Sequence, residues 1–250
     1  MEKHVLLNSK NFYRTYFIDQ QTRPTIVIFP GGGYKYTSPR EAEPVVHAFM
    51  KHGFHAVVVF YRETLDLYPM PGKCAAETFV QLKQDPRVGK TIGLGFSAGG
   101  HCVLEYCLHY KEYQGILPDL LMLGYPVVSS DLTIAHHGSF DVLLGEQNKG
   151  IRDFVSLENQ VTKETAVDLF LWGTYTDSSV PVENSWRLLD AYRKVGGSVE
   201  YHMFYFGKHG LSVANQETCN GDPDLISPYI GKWIDLAVDW IHHKLNQKKI

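Results

Sequence analysis

One stretch of the sequence decides the fold prediction. The chain reads Thr-Ile-Gly-Leu-Gly-Phe-Ser-Ala-Gly-Gly-His from Thr91 to His101. The part before Ser97 is typical of a buried strand, and the part after it has helical periodicity as far as Tyr110. Gly95–Gly99 fits the pattern Gly-x-Ser-x-Gly, in which a sharp strand-to-helix turn lifts a serine hydroxyl above the carboxyl end of the strand. We therefore expect Ser97 to be a nucleophile; the alternative is that it only caps the helix.

Strand-like runs and helical patterns alternate on both sides of this unit. Continuous apolar runs are typical of strands buried on both faces of a parallel sheet. They occur at Thr25–Phe29, His55–Tyr61, Asp119–Tyr125, Val167–Trp172 and Val199–Phe206, with Asn11–Asp19 as an alternating edge strand. Helical periodicity occurs at Glu41–Lys51, Lys73–Leu82, Val182–Val195 and, most clearly, Ile230–Leu245. The pattern predicts an α/β fold, with a mostly parallel central sheet of about seven or eight strands and helices on both faces.

The length of 250 residues favours one domain over residues 1–250. One segment, Ser129–Ala166, interrupts the alternation because it is long, polar and only loosely helical. Segments of this kind in compact domains often form binding loops or lids. We expect a lid-like excursion over about 129–166, with His136 and His137 as candidates for lining the pocket, and a solvated end at Lys248–Lys249.

Composition and charge exclude several classes of protein. Lys and Arg total 24 against 27 Asp and Glu, a formal net charge of −3, which argues against a nucleic-acid binder that relies on a general basic field. No apolar run approaches the roughly 20 residues of a transmembrane helix, and no signal-peptide pattern opens the chain. We therefore expect a cytoplasmic protein without a membrane partner. The four cysteines lack metal-ligand spacing, so free thiols and no metal are expected.

Two loop residues that follow later strands are the candidate partners of Ser97. A serine needs a general base to act as a nucleophile, and in an open α/β sheet the order along the chain is Ser, acid, His. Asp177 and His209 each follow a predicted strand in that order. Taken alone, Asp177 could be a turn or capping residue and His209 an exposed loop histidine. Three loop residues after three strands, in the correct order, favour a catalytic triad.

A glycine-rich loop, Pro30-Gly31-Gly32-Gly33-Tyr34, follows the first parallel strand. Its glycines let backbone N–H groups approach an oxyanion without a side-chain clash, and the N–H of Ala98 would add a donor. A phosphate-binding loop is the weaker alternative, because no Lys-Ser or Lys-Thr pair follows the glycines. Tyr34, Phe96 and Tyr175 are candidate walls of a substrate pocket, although buried aromatic residues more often belong to a core.

These motifs together resemble the α/β-hydrolase superfamily. They are Pro30–Tyr34, Gly95–His101, Thr176–Val182 and Lys208–Ser212. More narrowly, the chain is similar to the small bacterial carboxylesterase branch, near acetyl-xylan and feruloyl esterases and hormone-sensitive-lipase-like enzymes. Pro30 stands where those last enzymes usually have a histidine before the glycines.

The resemblance implies a role for each candidate residue: Ser97 as nucleophile, His209 as general base and acid, Asp177 as orienter of the imidazole, and Gly32, Gly33 and Ala98 as backbone donors to the oxyanion. It implies hydrolysis of carboxylic esters through an acyl-enzyme, with no cofactor. The partner is then a small-molecule ester with a short acyl group, and acylated sugars are candidates. A serine peptidase or thioesterase on the same fold, and a non-catalytic hydrolase-like binding protein, are the alternatives. The oligomeric state stays open, a homodimer included.

Overall fold

An eight-stranded sheet forms the centre of the computed structural model, which describes residues 1–247. The strands are β1 (Lys3–Val5), β2 (Phe12–Tyr16), β3 (Arg23–Phe29), β4 (His55–Phe60), β5 (Val88–Phe96), β6 (Leu120–Gly124), β7 (Leu169–Thr174) and β8 (Val199–Phe204). Their order across the sheet is β1-β2-β4-β3-β5-β6-β7-β8. The pairs from β4 to β8 are parallel, whereas β1 and β2 join antiparallel at one edge. The prediction of a mostly parallel α/β sheet is confirmed.

Helices cover both faces of this sheet. They are α1 (Glu43–Met50), α2 (Met70–Leu82), α3 (Ala98–His109), α4 (His137–Leu144), α5 (Glu183–Val195), α6 (Pro228–Gly231) and α7 (Trp233–Asn246). Buried residues of α1 and α7, such as Phe49 and Trp233, pack in one core. Residues of α2, α3 and α5, such as Phe79, Val103 and Leu188, pack in a second core on the other face. The strands between the two cores are buried on both sides, which is why they read as continuous apolar runs.

Glycines let α3 lie directly against the strand that precedes it. A Cβ at Gly95 would lie 2.6 Å from the Cα of Gly100, and one at Gly99 would lie 2.0 Å from the carbonyl oxygen of Phe29. Separations this short exclude a side chain at either position. The close packing fixes the turn between β5 and α3, where Ser97 lies.

Two elements differ from the sequence prediction, the first edge of the sheet and the last helix. The run Asn11–Asp19 was expected to be an edge strand, but β1 pairs along its outer side, so that expectation is wrong. β1 has only three residues, too few to show a pattern. The last helical stripe is divided at Lys232 into the short α6 and the long α7. The expectation for Lys248–Lys249 lies outside the described residues.

The excursion 129–166 contains α4 and two short 3-10 turns rather than a long loop. Phe140, Leu144 and Val155 of this segment form a small buried cluster with Val127 and Val180. The excursion is therefore packed on the body of the molecule through apolar contacts. Within residues 1–247, no helix combines the length and the apolar character needed to cross a membrane.

Candidate functional site

Ser97 lies at the carboxyl end of β5 in a strained backbone conformation. Its φ is +51° and its ψ is −121°, a region that residues with a side chain rarely adopt. The Ser97 N–H donates to the carbonyl of Gly124 at 3.1 Å, and the Val127 N–H donates to the carbonyl of Ser97 at 3.1 Å. These two hydrogen bonds join the turn to β6 and the segment after it. They fix the strained backbone of the turn and hold the Ser97 hydroxyl above the sheet.

The structure brings Ser97, His209 and Asp177 into one chain of hydrogen bonds. His209 Nε2 lies 2.8 Å from Ser97 Oγ, and His209 Nδ1 lies 2.7 Å from Asp177 Oδ2. Because a carboxylate oxygen accepts, Nδ1 is the protonated ring nitrogen and the Nε2 lone pair faces the serine hydroxyl. The side chain of Asp177 is 2% exposed and that of His209 is 21% exposed.

Backbone donors hold Asp177 in this orientation. Its second oxygen, Oδ1, accepts the N–H groups of Ser179 and Val180, each at 2.9 Å. A buried carboxylate needs such donors, because leaving it without hydrogen bonds would cost several kcal/mol. The loop after β7 is therefore built to present one carboxylate oxygen to the imidazole.

The glycine loop after β3 runs beside Ser97. A Cβ at Gly31 would lie 3.0 Å from Ser97 Cβ, and Gly32 and Gly33 have φ values of +119° and +61°. The carbonyl groups of Gly31 and Gly32 accept the N–H groups of Ser38 and Lys35, each at 3.0 Å. Because C=O and N–H point in opposite directions across a trans peptide, the next two N–H groups point away from that turn.

Those N–H groups, of Gly32 and Gly33, make no hydrogen bond to any of the residues 1–247. Ala98 is the first residue of α3, where a helix leaves its N–H without an internal acceptor. Free donors of this kind beside a serine hydroxyl are what an oxyanion requires.

A second hydrogen-bonded group, beside Ser97, His209 and Asp177, is absent from the sequence prediction. Glu41 is 3% exposed and accepts hydrogen bonds from the Gly31 N–H and from the hydroxyl of Tyr125, both at 2.7 Å. Tyr125 directly follows β6, which lies between the strands that precede Ser97 and Asp177. Its position after a predicted strand, at the carboxyl edge of the sheet, was the feature of the sequence that could have indicated it. Nothing in the sequence pattern distinguishes Glu41 from any polar residue before a helix.

Two of the three aromatic residues proposed as pocket walls belong to the core. Phe96 is fully buried and packs against Tyr125 and Trp233, and Tyr34 is 1% exposed beneath the glycine loop. A ring without exposed surface cannot contact a substrate that enters from solvent, so the pocket-wall expectation for these two is wrong. Tyr175 is 55% exposed and lies beside Trp186, with ring centroids 6.2 Å apart.

The two histidines of the excursion lie in different environments. The position of a Cβ on Gly33 is 3.7 Å from His136 Cε1, so His136 stands over the glycine loop. Burial, and then the nearby His209, lower the pKa of His136 below its ordinary range. His137 is exposed, with Nδ1 3.3 Å from an Arg152 guanidinium nitrogen. Only the first of the pair is placed at the site.

His101, next to the glycine pair that opens α3, is fully buried away from solvent. Its Nδ1 lies 2.8 Å from the Tyr34 hydroxyl and its Nε2 lies 2.9 Å from the carbonyl oxygen of Val155. Since a carbonyl only accepts, Nε2 carries the proton and the tyrosine donates to Nδ1. Burial lowers the pKa of His101 to about 4, so the ring is neutral and joins the glycine loop to the excursion.

The cysteines take no part in the site. All four thiols are free and buried, and burial raises the pKa of Cys74 to about 12, which keeps it protonated and unreactive. Across the part of the chain that the structure describes, no group of three or more His, Cys, Asp or Glu side chains could hold a metal ion.

Comparison with known proteins identifies relatives of this fold and site. The crystal structure of an acetyl ester-xyloside bifunctional hydrolase from Caldicellulosiruptor lactoaceticus superposes with a TM-score of 0.83 and 30% sequence identity. The match covers 97% of this chain and 96% of that one. No family model matches the chain.

Two curated proteins match at the sequence level. Endo-1,4-beta-xylanase B of Butyrivibrio fibrisolvens is 31% identical over 222 residues, which cover 81% of this chain and 35% of that protein. Acetylxylan esterase of Xylanibacter ruminicola is 27% identical over 198 residues, which cover 74% and 40%. The chain therefore spans less than half the length of the curated relatives it matches. On its full-length likeness to the solved acetyl ester hydrolase, the chain belongs to the α/β-hydrolase superfamily, in the branch of small bacterial carboxylesterases.

Proposed function

We propose that this chain hydrolyses carboxylic esters, with Ser97 as the nucleophile. The observation that carries the proposal is the position of His209, whose ring nitrogens lie 2.8 Å from Ser97 Oγ and 2.7 Å from Asp177 Oδ2. A serine whose proton can pass to an adjacent, oriented imidazole is an activated nucleophile. The relatives that are esterases support the same reaction class.

In the first half of the proposed reaction, Ser97 Oγ attacks the ester carbonyl carbon while His209 Nε2 takes the hydroxyl proton. Asp177 stabilises the imidazolium that forms, and the N–H groups of Gly32, Gly33 and Ala98 bind the oxyanion of the tetrahedral intermediate. Collapse of this intermediate breaks the bond to the alcohol. His209 returns its proton to the alcohol oxygen, and the acyl group stays on the serine.

In the second half, water takes the place of the alcohol. His209 Nε2 removes a proton from the water, whose oxygen attacks the acyl carbon, and the same N–H donors bind the second oxyanion. The carboxylic acid leaves as the proton returns to Ser97 Oγ. Every step uses a group of this chain or a water molecule, so the balance needs no cofactor.

We infer that the substrate carries a short acyl group and that acetyl esters of carbohydrates are its natural class. Ser97 is 6% exposed, so little of its surface is open to a substrate, which favours a small acyl group. One relative is named an acetylxylan esterase and another an acetyl ester-xyloside bifunctional hydrolase, and these names support the same class here.

We further propose that the excursion 129–166 forms one wall of the site. His136 stands over Gly33, and the buried His101 ties Val155 of the excursion to Tyr34 of the glycine loop. Contacts from two parts of the segment to the same loop support a fixed wall that limits the space around the nucleophile.

The experiment is hydrolysis of p-nitrophenyl esters from acetate to octanoate by the wild type and by Ser97→Ala. We expect turnover of the short esters and a loss of at least about 1,000-fold in the variant, because removing the nucleophile of a triad costs this much or more. A folded Ser97→Ala variant with wild-type turnover, or a folded wild type without turnover, would contradict the proposal. Release of acetate from acetylated xylo-oligosaccharides then tests the substrate class.

A further inference from the structure

A short turn joins the two loops that hold the oxyanion donors and His209. The turn is Pro39–Glu41, one 3-10 turn before α1. Its last residue, Glu41, is buried and uses both carboxylate oxygens as acceptors. Oε2 accepts the N–H of Gly31 at the start of the glycine loop, and Oε1 accepts the hydroxyl of Tyr125.

The direction of the hydrogen bonds at Tyr125 is determined by its neighbours. Its hydroxyl oxygen accepts the N–H of Ser212 at 2.9 Å, so its single proton must go to Glu41. Burial, and then the charge of Glu41, raise the pKa of Tyr125 well above its ordinary value, so the hydroxyl keeps that proton. Its ring also stands edge-on to the His209 imidazole, with centroids 4.9 Å apart. A continuous chain of contacts therefore runs from Gly31 to the His209 loop.

Arg40 makes a parallel connection. Its guanidinium donates to the carbonyl of Gly210, the residue after His209, and its own carbonyl accepts the hydroxyl of Ser212 at 2.7 Å. Gly210 and Ser212, which follow His209 along the chain, are thus both tied to the turn that holds Gly31. The turn has no contact with the reacting atoms, but it determines where two groups that do contact them lie.

We propose that Glu41 is a positioning residue, which sets the location of the oxyanion-binding glycine loop relative to His209. The proposal rests on the ester hydrolysis proposed above. A carboxylate can accept at both ends, whereas the carboxamide of glutamine has one acceptor, so Glu41→Gln must leave either the Gly31 N–H or the Tyr125 hydroxyl without its partner. The donor left without an acceptor can lower the stability of the fold by about 1–3 kcal/mol, so unfolding has to be measured beside the kinetics.

The first test compares Glu41→Gln and Glu41→Ala with a matched control. Glu43→Gln changes a nearby glutamate that is half exposed and bonds Arg14 and Tyr16. Hydrolysis of p-nitrophenyl acetate gives kcat and KM, a fluorophosphonate counts the reactive sites at its end point, and thermal unfolding reports on the fold. Expressed per titrated site, kcat should fall roughly 10- to 100-fold in Glu41→Gln, because small misplacements of reacting groups have effects of this size.

The pattern of the loss separates positioning from stability. KM should change little, Glu41→Ala should lose more than Glu41→Gln, and Glu43→Gln should match the wild type. Tyr125→Phe should also lower kcat, but it should add little in the Glu41→Ala background, since its hydroxyl has already lost its acceptor.

Three results would overturn the proposal. The first is a wild-type kcat per titrated site in Glu41→Gln, whether or not the melting temperature falls, because the residue would then not set the position of the reacting groups. The second is a double variant, Glu41→Ala with Tyr125→Phe, in which kcat falls by the product of the losses in the two single variants. The third, a wild type that neither hydrolyses the ester nor reacts with the fluorophosphonate, would instead show that the proposed function itself has failed, and with it this role for Glu41.

Discussion

The carboxyl edge of the sheet and the interface beneath the excursion each hold a histidine between two hydrogen-bond partners. At the edge, His209 bridges a hydroxyl and a carboxylate and keeps a fifth of its side chain exposed. Beneath the excursion, His101 bridges a hydroxyl and a backbone carbonyl and has no exposed surface. The number of hydrogen bonds is the same, but only His209 has a carboxylate to stabilise a positive ring. The charge of the partner and the access of solvent, more than the number of hydrogen bonds, therefore decide whether a histidine can take up and release a proton.

The most severe loss of activity should come from one of two single variants, in which either His209 or His101 is replaced by glutamine. His209→Gln should lower kcat/KM for p-nitrophenyl acetate by about 10,000-fold or more with little change in stability, as removal of a triad base does. His101→Gln should instead destabilise the fold by about 1–3 kcal/mol, the usual cost of breaking buried hydrogen bonds, and change kcat/KM per folded molecule by less than about tenfold. Steady-state kinetics and urea unfolding measure both. A larger loss of kcat/KM in His101→Gln than in His209→Gln would contradict this contrast between the two histidines.

A smaller loss is expected from the glycine loop. In Gly32→Ala, the new Cβ would lie 2.2 Å from the Tyr36 carbonyl oxygen, and the position has a φ of +119° that alanine rarely adopts. The loop must move, so kcat should fall by about 100-fold or more as the oxyanion donors are displaced.

Gly196→Ala is the control for this change, because Gly196 also has a positive φ, +71°, but no atom lies within 4 Å of its Cβ position. It ends α5, outside the glycine loop and the excursion, and should keep wild-type kinetics. Wild-type kcat in Gly32→Ala, with the fold intact, would show that the loop supplies no donor.

The smallest expected effect is on the pH dependence of stability. The pKa of His101 is about 4 in the folded protein, against an ordinary value of 6.5, because burial disfavours the charged ring. Between these values the unfolded chain binds the proton more tightly, so this stability is fully present above pH 6.5 and is lost as the pH falls toward 4. The loss amounts to about 3 kcal/mol at most.

Urea unfolding of the wild type and of His101→Gln at pH 7, 5.5 and 4.5 measures this term. The free energy of unfolding should fall less steeply toward acid in the variant, because its side chain does not titrate. If the free energy of unfolding fell equally with pH in the two proteins, the folded structure would not hold the His101 ring neutral. The contrast between His101 and His209 would then be wrong.

Much of the fold follows from local patterns in the sequence. The core of each strand from β3 to β7 is a continuous apolar run because both faces of the sheet are covered there, whereas β8, at the far edge, is half exposed and carries Glu200 and His202. The turn at Ser97 is marked by glycines that the close approach of α3 requires. β1 escaped prediction because three exposed or half-exposed residues carry no periodicity. The break at Lys232 directly follows Gly231, a poor helix former inside the apolar stripe, and the prediction of one continuous helix did not take this glycine into account.

The site was harder to predict wherever it depends on distant contacts. Glu41 and Tyr125 are 84 residues apart, and only the folded sheet shows that they are partners. Tyr34 and Phe96 adjoin the motifs, yet their rings turn into the core, and no local pattern tells which way an aromatic side chain beside a turn will point.

Covalent labelling tests whether Ser97 is a nucleophile that His209 and Asp177 activate. The wild type and Ser97→Ala are treated with a fluorophosphonate, and the products are analysed by intact mass and peptide mapping. We expect one adduct per chain, located on Ser97, and none in the variant. An unlabelled wild type, or an adduct on any other residue, would contradict this expectation.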